Sequence, residues 1–327
     1  MVLAIAQKLI GLTDKLTAKP VKLRKVIIAY KADSSVSQSW AERCSHELES
    51  LGCHVLMGAS GAYDNPYPAF IQSMGDIDLA LVLGGDGSTL GAARYLASQS
   101  VPILAINTGG HLGFLTQAAE EFVDTQQVWE RLLSDRYAIE TRMMLSAKII
   151  NADKNINDSD LVSSVFFSLN EMCIKPASPD RMSTSALELE IDGEVVDQYH
   201  GDGLIIATPT GSTSYVVAAN GPIVHPGMEA IVITPICPLS LSSRTIVLPP
   251  KLVVSIWSLN DDPSIKLWTD GVLASSLLPG QRVDIGMSSH WAKFVILREN
   301  YSFYQALREK LLWSGTRLRY QNKYRQS

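Results

Sequence analysis

The chain has 327 residues, 46% of them hydrophobic, so it can bury a full core and a second domain and is not a mainly disordered polypeptide. Lys and Arg total 28 against 33 Asp and Glu, a net charge of -5. That balance excludes a global pull toward nucleic acid or anionic lipid, and any phosphate site has to be assembled locally from amides, a few basic side chains or a metal.

The four cysteines, Cys44, Cys53, Cys173 and Cys237, are scattered without a CxxC pair or zinc-ligand spacing, so reduced structural thiols are expected. The apolar run Val2 to Ala6 is too short for a secretory h-region, and no apolar stretch approaches membrane-spanning length. A soluble cytoplasmic protein is the expectation, with no nucleic-acid or membrane partner.

Residues 1–22 read as a leader ended by Pro20, and Val26 to Tyr30 as a first strand. A helix over Trp40 to Ser50 follows, capped by Ser37 or Ser39 and stopped at Gly52, and a second strand runs from Cys53 to Met57. Gly58 to Pro68 reads as a loop. Next, the apolar run Asp78 to Leu83 enters Gly84-Gly85-Asp86-Gly87-Ser88-Thr89, and a helix continues to Ala97. Glycines expose amide donors, and a helix start adds unpaired N–H groups and partial positive charge, so this junction suits an anion. Asp86 is out of place in a simple phosphate cradle. It fits if a metal bridges it to phosphate, or if it faces a hydroxyl that must lose a proton. The pattern is neither GxGxxG nor GxxxxGK[ST], and a quiet strand–turn–helix is the plain alternative.

A further strand over Val101 to Ile106 also ends in a glycine-dense loop, Asn107 to Leu115, before helical periodicity from Ala118 to Leu133. This alternation predicts parallel β-α units with both glycine loops at the ligand-binding edge of the sheet. The fold class expected is α/β: a Rossmann-like parallel-sheet domain over 23–134 and an all-β, sandwich-like domain over 135–297. A helical tail over 298–327 packs back on the first domain or on a partner subunit. In the second half Asp192-Gly193 marks a hairpin. Strands are expected over 137–150, 162–174, 185–196, 204–207, 230–233, 246–248, 252–257 and 294–297.

Within that half, the strand ending at Ala207 feeds Thr208-Pro209-Thr210-Gly211-Ser212-Thr213-Ser214-Tyr215. Hydroxyls and amides at this density suit ribose or phosphate recognition, or a solvated loop that caps a helix. Asn170 and Glu171 interrupt a strand-like run; adjacent strand residues face opposite ways, so at least one of them points inward or at a ligand, with two isolated polar residues on a plain edge strand as the commoner alternative. His111, His200 and His225 form no metal triad.

Taken together, the motifs resemble the NAD kinase family from about Val26 to Leu297. Gly84-Gly85-Asp86-Gly87 with Ser88 is similar to its GGDG signature, Asn170-Glu171 to its NE motif, and Asp202 to Tyr215 to DGLIxxTPTGSTAY, with Ser214 where Ala is usual. The resemblance implies ATP and NAD as substrates, Mg²⁺ accompanying ATP, and transfer to the 2′-hydroxyl of the adenosine ribose. It also implies a homodimer or homotetramer. It makes Asp86 the base and Gly84, Gly85 and Gly87 the phosphate turn. Asn170 and Glu171 would hold the ribose and nicotinamide part, with Thr213, Ser214 and Tyr215 at the adenine end. Asp202 would reach the dinucleotide, and Phe114 falls on the aromatic of the NxGxLGF loop. That loop is one residue longer here, and His200 stands where a basic residue is common, with Arg181 as a possible replacement. A lipid or sugar kinase sharing only GGDG would leave Asn170-Glu171 and the hydroxyl loop unexplained. An NAD-binding regulator would bind without turnover, and a dehydrogenase would need GxGxxG after the first strand.

Overall fold

The computed structural model describes residues 23–109, 113–151, 165–177, 184–259, 265–297 and 302–311; the leader over 1–22 lies outside them. The first half alternates β1 (Lys25–Lys31), α1 (Ser35–Ser50), β2 (His54–Ser60), α2 (Tyr67–Met74), β3 (Leu79–Leu83), α3 (Asp86–Leu96), β4 (Pro102–Ile106) and α4 (Thr125–Leu133). The strands pair in parallel in the order β2-β1-β3-β4. Side chains alternate across a strand, which divides the apolar runs between two layers. Val26, Ile28, Leu79 and Leu81 pack with Cys44 and Leu48 of α1 and Trp129 of α4. Ile27, Ala29, Ala80 and Val82 pack with Tyr67 and Phe70 of α2 and Ala92, Ala93 and Leu96 of α3. Helices on both faces are why β3 is buried along its whole length.

Two local expectations are corrected. Helix α1 is capped by Ser34, whose Oγ accepts from the Ser37 amide at 3.2 Å, several residues ahead of the predicted start. The loop predicted over 58–68 is shorter, 61–66, because 58–60 complete β2 and 67–68 begin α2. Proline belongs in a helix only in its first turn, and here Pro66 and Pro68 sit at that end, while Tyr67, Phe70 and Met74 form the buried face.

The second half contains β5 (Ala138–Asn151), β6 (Phe166–Ser168), β7 (Glu171–Pro176), β8 (Ser185–Ile191), β9 (Glu194–Gly201), β10 (Gly203–Ala207), β11 (Ile231–Ile236) and β12 (Ile246–Leu248). The remaining strands are β13 (Val254–Ser258), β14 (Ile265–Thr269), β15 (Val272–Ser276) and β16 (Gln281–Ile296), with a single-turn helix α5 (Tyr215–Ala218) and a last helix α6 (Phe303–Lys310). A six-stranded sheet runs β12-β11-β10-β7-β14-β15, entirely antiparallel. Its inner face, with Met172, Ile174, Leu204, Ile206 and Leu267, packs on Leu187, Leu189, Ile256 and Ile285 of the other sheet. The sequence pattern does not announce β14 and β15, and it marks β16 only over its last residues.

The full length of β16 changes the architecture. Its Lys293 and Phe294 pair in parallel with Pro102 and Ile103 of β4, while Arg282 to Ile285 pair antiparallel with Val254 to Trp257 of β13. The parallel strands therefore continue without a break into antiparallel strands of the same sheet, in the order β4-β16-β13-β8-β9, and main-chain hydrogen bonds set how the two halves sit together.

Candidate active site

The strand β3 delivers the chain to Gly84, Gly85 caps α3, and Asp86 is the first helical residue. None of Gly84, Gly85 or Gly87 occupies the left-handed region. Their use here is space. A Cβ on Gly84 would meet Ser88 Oγ at 2.5 Å, whereas at Gly85 and Gly87 it would meet nothing within 4 Å. Bare backbone thus stays open to an incoming group where a helix begins and its amides lack intrahelical partners.

Asp86 is held from across the sheet edge by the loop that follows β4. Its Oδ2 accepts from the Phe114 amide at 2.7 Å, and its Oδ1 accepts from the Leu115 amide at 3.1 Å and faces Thr116 Oγ1 at 3.4 Å. The carboxylate has lone pairs to spare after these contacts, and its position is set by backbone. Phe114 contributes through its amide, while its ring lies against Phe303 of α6, and Lys310 Nζ stands 5.0 Å above it. Phe303 also meets His225 with centroids 5.1 Å apart, so α6 touches both halves.

Asn170 and Glu171 sit at the start of β7, the strand between β10 and β14. Both are buried, at 8% and 6% exposure. The neighbours end beside them in Thr208 and Asp270. Thr208 bonds back through its amide to the Asn170 carbonyl at 2.9 Å and through its hydroxyl to the Leu169 carbonyl at 2.6 Å. Gly211 packs so tightly on the Asn170 carbonyl that a Cβ would overlap it. Burial pushes the Glu171 carboxyl up to about 7; the Asp270 charge adds to the rise, and the Ser214 hydroxyl and Tyr215 amide oppose it. Its Oε2 has no hydrogen-bond partner among the described residues, a buried acceptor open to a hydroxyl donor.

The hydroxyl loop separates into two groups. Thr208 and Ser212 are buried and bond within the protein, Ser212 Oγ accepting from the Val224 amide at 2.9 Å. Thr213, Ser214 and Tyr215 are half-buried; Ser214 and Tyr215 face Glu171, whereas the Thr213 hydroxyl donates to the Thr210 carbonyl at 3.3 Å. Lys175 Nζ lies 5.7 Å from the Tyr215 ring and 5.4 Å from the Trp268 ring. Burial pushes the Tyr215 phenol up, with Cys173, Cys237, Asp202 and Glu171 adding in that order, which places Asp202 at the same edge. Asp202 and His200 are exposed at the bend between β9 and β10; Arg181 and His111 lie outside the described residues.

Sequence reasoning passed over three residues that build this site. Gly113 packs against the Asp86 carboxylate. Asp270 and Arg94, joined at 3.1 Å, connect α3 with the Asn170-Glu171 segment. The Asp270-Gly271 dipeptide carries the same hairpin signal as Asp192-Gly193, and both pairs have positive φ as that turn requires.

A carboxylate fixed by amides beside bare glycines at a helix start, with no lysine among them, suits a kinase that activates an acceptor hydroxyl better than a P-loop hydrolase. The comparisons with known proteins identify which kinase. The ATP-NAD kinase N-terminal domain matches residues 26–137 and the ATP-NAD kinase C-terminal domain matches residues 169–297. NAD kinase 1 of Trichormus variabilis is 61% identical over 302 residues, covering 92% of this chain and 98% of that protein. NAD kinase 1 of Thermosynechococcus vestitus is 58% identical over 307 residues, covering 93% and 100%. The crystal structure of yeast NADH kinase complexed with NADH aligns at a TM-score of 0.74 and 26% identity, covering 90% of this chain and 89% of that one. An NAD kinase from Archaeoglobus fulgidus, solved in complex with ATP, shares the fold at a TM-score of 0.65 and 24% identity, covering 89% of this chain and 100% of that one. The chain belongs to the ATP-NAD kinase family, and its reaction is the phosphorylation of NAD with ATP.

Proposed function

We propose that Asp86 is the base of this reaction and that NAD lies with its adenosine ribose against the start of α3. The observation that carries the assignment is the backbone clamp on Asp86, by the Phe114 amide at 2.7 Å and the Leu115 amide at 3.1 Å, beside the open Gly85 and Gly87. The 2′-hydroxyl oxygen forms a bond to the γ-phosphorus of ATP as the bond to the ADP oxygen breaks, and the hydroxyl proton passes to Asp86. Phosphoryl transfer needs alignment and charge neutralisation above all. The amides of the glycine turn and the first turn of α3 supply donors to phosphate oxygens. Asn170, Glu171, Thr213, Ser214, Tyr215 and Asp202 line one edge of the antiparallel half and hold the dinucleotide. Glu171 Oε2 accepts from a ribose hydroxyl.

Among the described residues no three His, Cys, Asp or Glu side chains gather as a metal cage. Mg²⁺ would accompany ATP and neutralise phosphate charge, shared between the phosphates and nearby acidic groups. The protein works in the cytoplasm as a homodimer or homotetramer. Leu239 and Leu241, 71% and 92% exposed between β11 and β12, offer apolar surface to a second copy, and light scattering measures the subunit number.

The test is incubation of the pure protein with ATP, Mg²⁺ and NAD, read as NADP formed, with polyphosphate and NADH as alternative donor and acceptor. Asp86→Asn keeps the shape and removes the base. Its turnover falls by about 10²–10⁴-fold with NAD affinity within a small factor of the parent. Near-normal turnover in that variant overturns the role of Asp86.

A further inference from the structure

Asp270 occupies the first position of the Asp270-Gly271 turn between β14 and β15, in the left-handed region at φ 47. Its side chain is fully buried. An isolated buried carboxylate is strongly disfavoured unless donors surround it, and here five do. Oδ1 accepts from Ser168 Oγ at 2.8 Å, the Asn170 amide at 2.7 Å and the Glu171 amide at 3.3 Å. Oδ2 accepts from the Leu169 amide at 3.2 Å and from Arg94 Nη1 at 3.1 Å. The Asp270 amide returns a bond to the Glu171 carbonyl at 2.9 Å.

The arrangement is directional. Three successive amides, from Leu169 to Glu171, converge on one carboxylate before the chain enters β7. The Leu169 and Asn170 carbonyls are taken by Thr208 on the opposite side. Almost every backbone group that decides where the Asn170 and Glu171 side chains project is committed to Asp270 or Thr208. The fifth donor, Arg94, belongs to the last turn of the helix whose first residue is Asp86.

We propose that Asp270 is a positioning residue of the reaction: its carboxylate presents the Asn170–Glu171 pair to the dinucleotide and, through Arg94, fixes that pair relative to the helix that carries Asp86. The inference rests on the reading that Asn170 and Glu171 hold NAD. The charged and titratable groups facing Glu171 are Asp270 from the β14–β15 turn, Tyr215 from the hydroxyl loop and Cys173 from its own strand, with Arg94 behind Asp270 on α3.

The experiment compares Asp270→Asn, Arg94→Gln and Asn170→Ala with the parent in the full chain, measuring kcat and both KM values from pH 5.5 to 8.5. In Asp270→Asn, KM for NAD rises about tenfold, the scale expected when a charge-assisted anchor is lost, while KM for ATP stays within about twofold. The acidic limb of kcat/KM for NAD moves to lower pH, because a negative neighbour of Glu171 is gone. The split between the two KM values is what a merely structural role would not produce, since a smaller folded fraction lowers apparent kcat and leaves both KM values where they were. In Arg94→Gln, whose site is part-exposed, kcat falls about fivefold at nearly unchanged KM; this result carries the test if Asp270→Asn does not fold. Parent-like KM for NAD and pH profile in Asp270→Asn, or parent-like kcat in Arg94→Gln, overturns the proposal. If Asn170→Ala is impaired while Asp270→Asn is silent, the positioning role fails alone. If Asn170→Ala also binds NAD normally, the reading of the pair fails and takes this proposal with it.

Discussion

Gly113 lies against Asp86 so closely that a Cβ at position 113 would overlap the Asp86 carboxylate and meet Thr116 Oγ1 at 2.5 Å. The glycine that matters most to the proposed base is thus in the opposing loop, outside the glycine turn. In Gly113→Ala either the loop or the carboxylate has to move, and the amide clamp from Phe114 and Leu115 opens. Overpacking of this kind costs about 1–3 kcal/mol. Turnover falls further than stability implies, by about 10²-fold, because the carboxylate loses its aim. Thermal melting and kcat measured on one preparation check both; a variant with parent turnover would show that the clamp does not set the rate.

Gly87 is the opposite case. It is exposed, in the first turn of α3, and a Cβ there meets no protein atom within 4 Å. Ala in a helix is favoured over Gly by about 0.5–1 kcal/mol, so Gly87→Ala melts at or above the parent temperature. The added methyl occupies space proposed for phosphate, and KM for ATP rises about tenfold. A stabilised enzyme with unchanged KM for ATP would remove Gly87 from the phosphate site.

The parts of the fold and site visible in the sequence are those made by neighbours in the chain. The β3–glycine–α3 junction, the Asp192-Gly193 hairpin and the Asn170-Glu171 interruption each show within a few residues. What escaped was built by distant partners or by signals that conflict locally. Helix α2 was hidden because its prolines, read without their position in the first turn, look like loop residues. The length of β16 was hidden because residues from 281 to 296 alternate weakly around a bulge between Met287 and Trp291. Asp270 reads as a turn residue, and nothing nearby announces donors about 100 positions upstream. Its turn carries the same Asp-Gly signal as Asp192-Gly193, but the strands on either side have only five residues each.

Glu171 makes stability depend on pH in a direction that runs against most carboxylates. Its folded value lies near 7, raised from an ordinary 4.5 chiefly by burial and next by Asp270. Between those values the folded chain binds more protons than the unfolded one, so stability falls as pH rises through the window. At full ionisation the cost is up to about 3 kcal/mol. Glu171→Gln removes this dependence: it melts above the parent at pH 8, with the difference shrinking toward pH 5, while its affinity for NAD falls. Melting curves at pH 5, 6.5 and 8 decide it. A difference that does not vary with pH would mean that Glu171 is ionised throughout.

Phe303 connects the last described helix to the loop that holds Asp86. Its ring lies 6.5 Å from the ring of Phe114, whose amide holds Asp86, and 5.1 Å from His225 beyond the hydroxyl loop. In Phe303→Ala these ring contacts disappear at a cost of about 1 kcal/mol, and Phe114 loses the wall that limits its movement. The loop can then sample positions in which its amide no longer meets Asp86. The expected outcome is a kcat reduced about threefold to tenfold with KM for NAD nearly unchanged. Phe303→Leu restores part of the loss, because an apolar side chain again closes the gap without stacking. Steady-state kinetics of the pair make the check. Equal activity in parent, alanine and leucine variants would show that α6 packs on Phe114 without bearing on the chemistry.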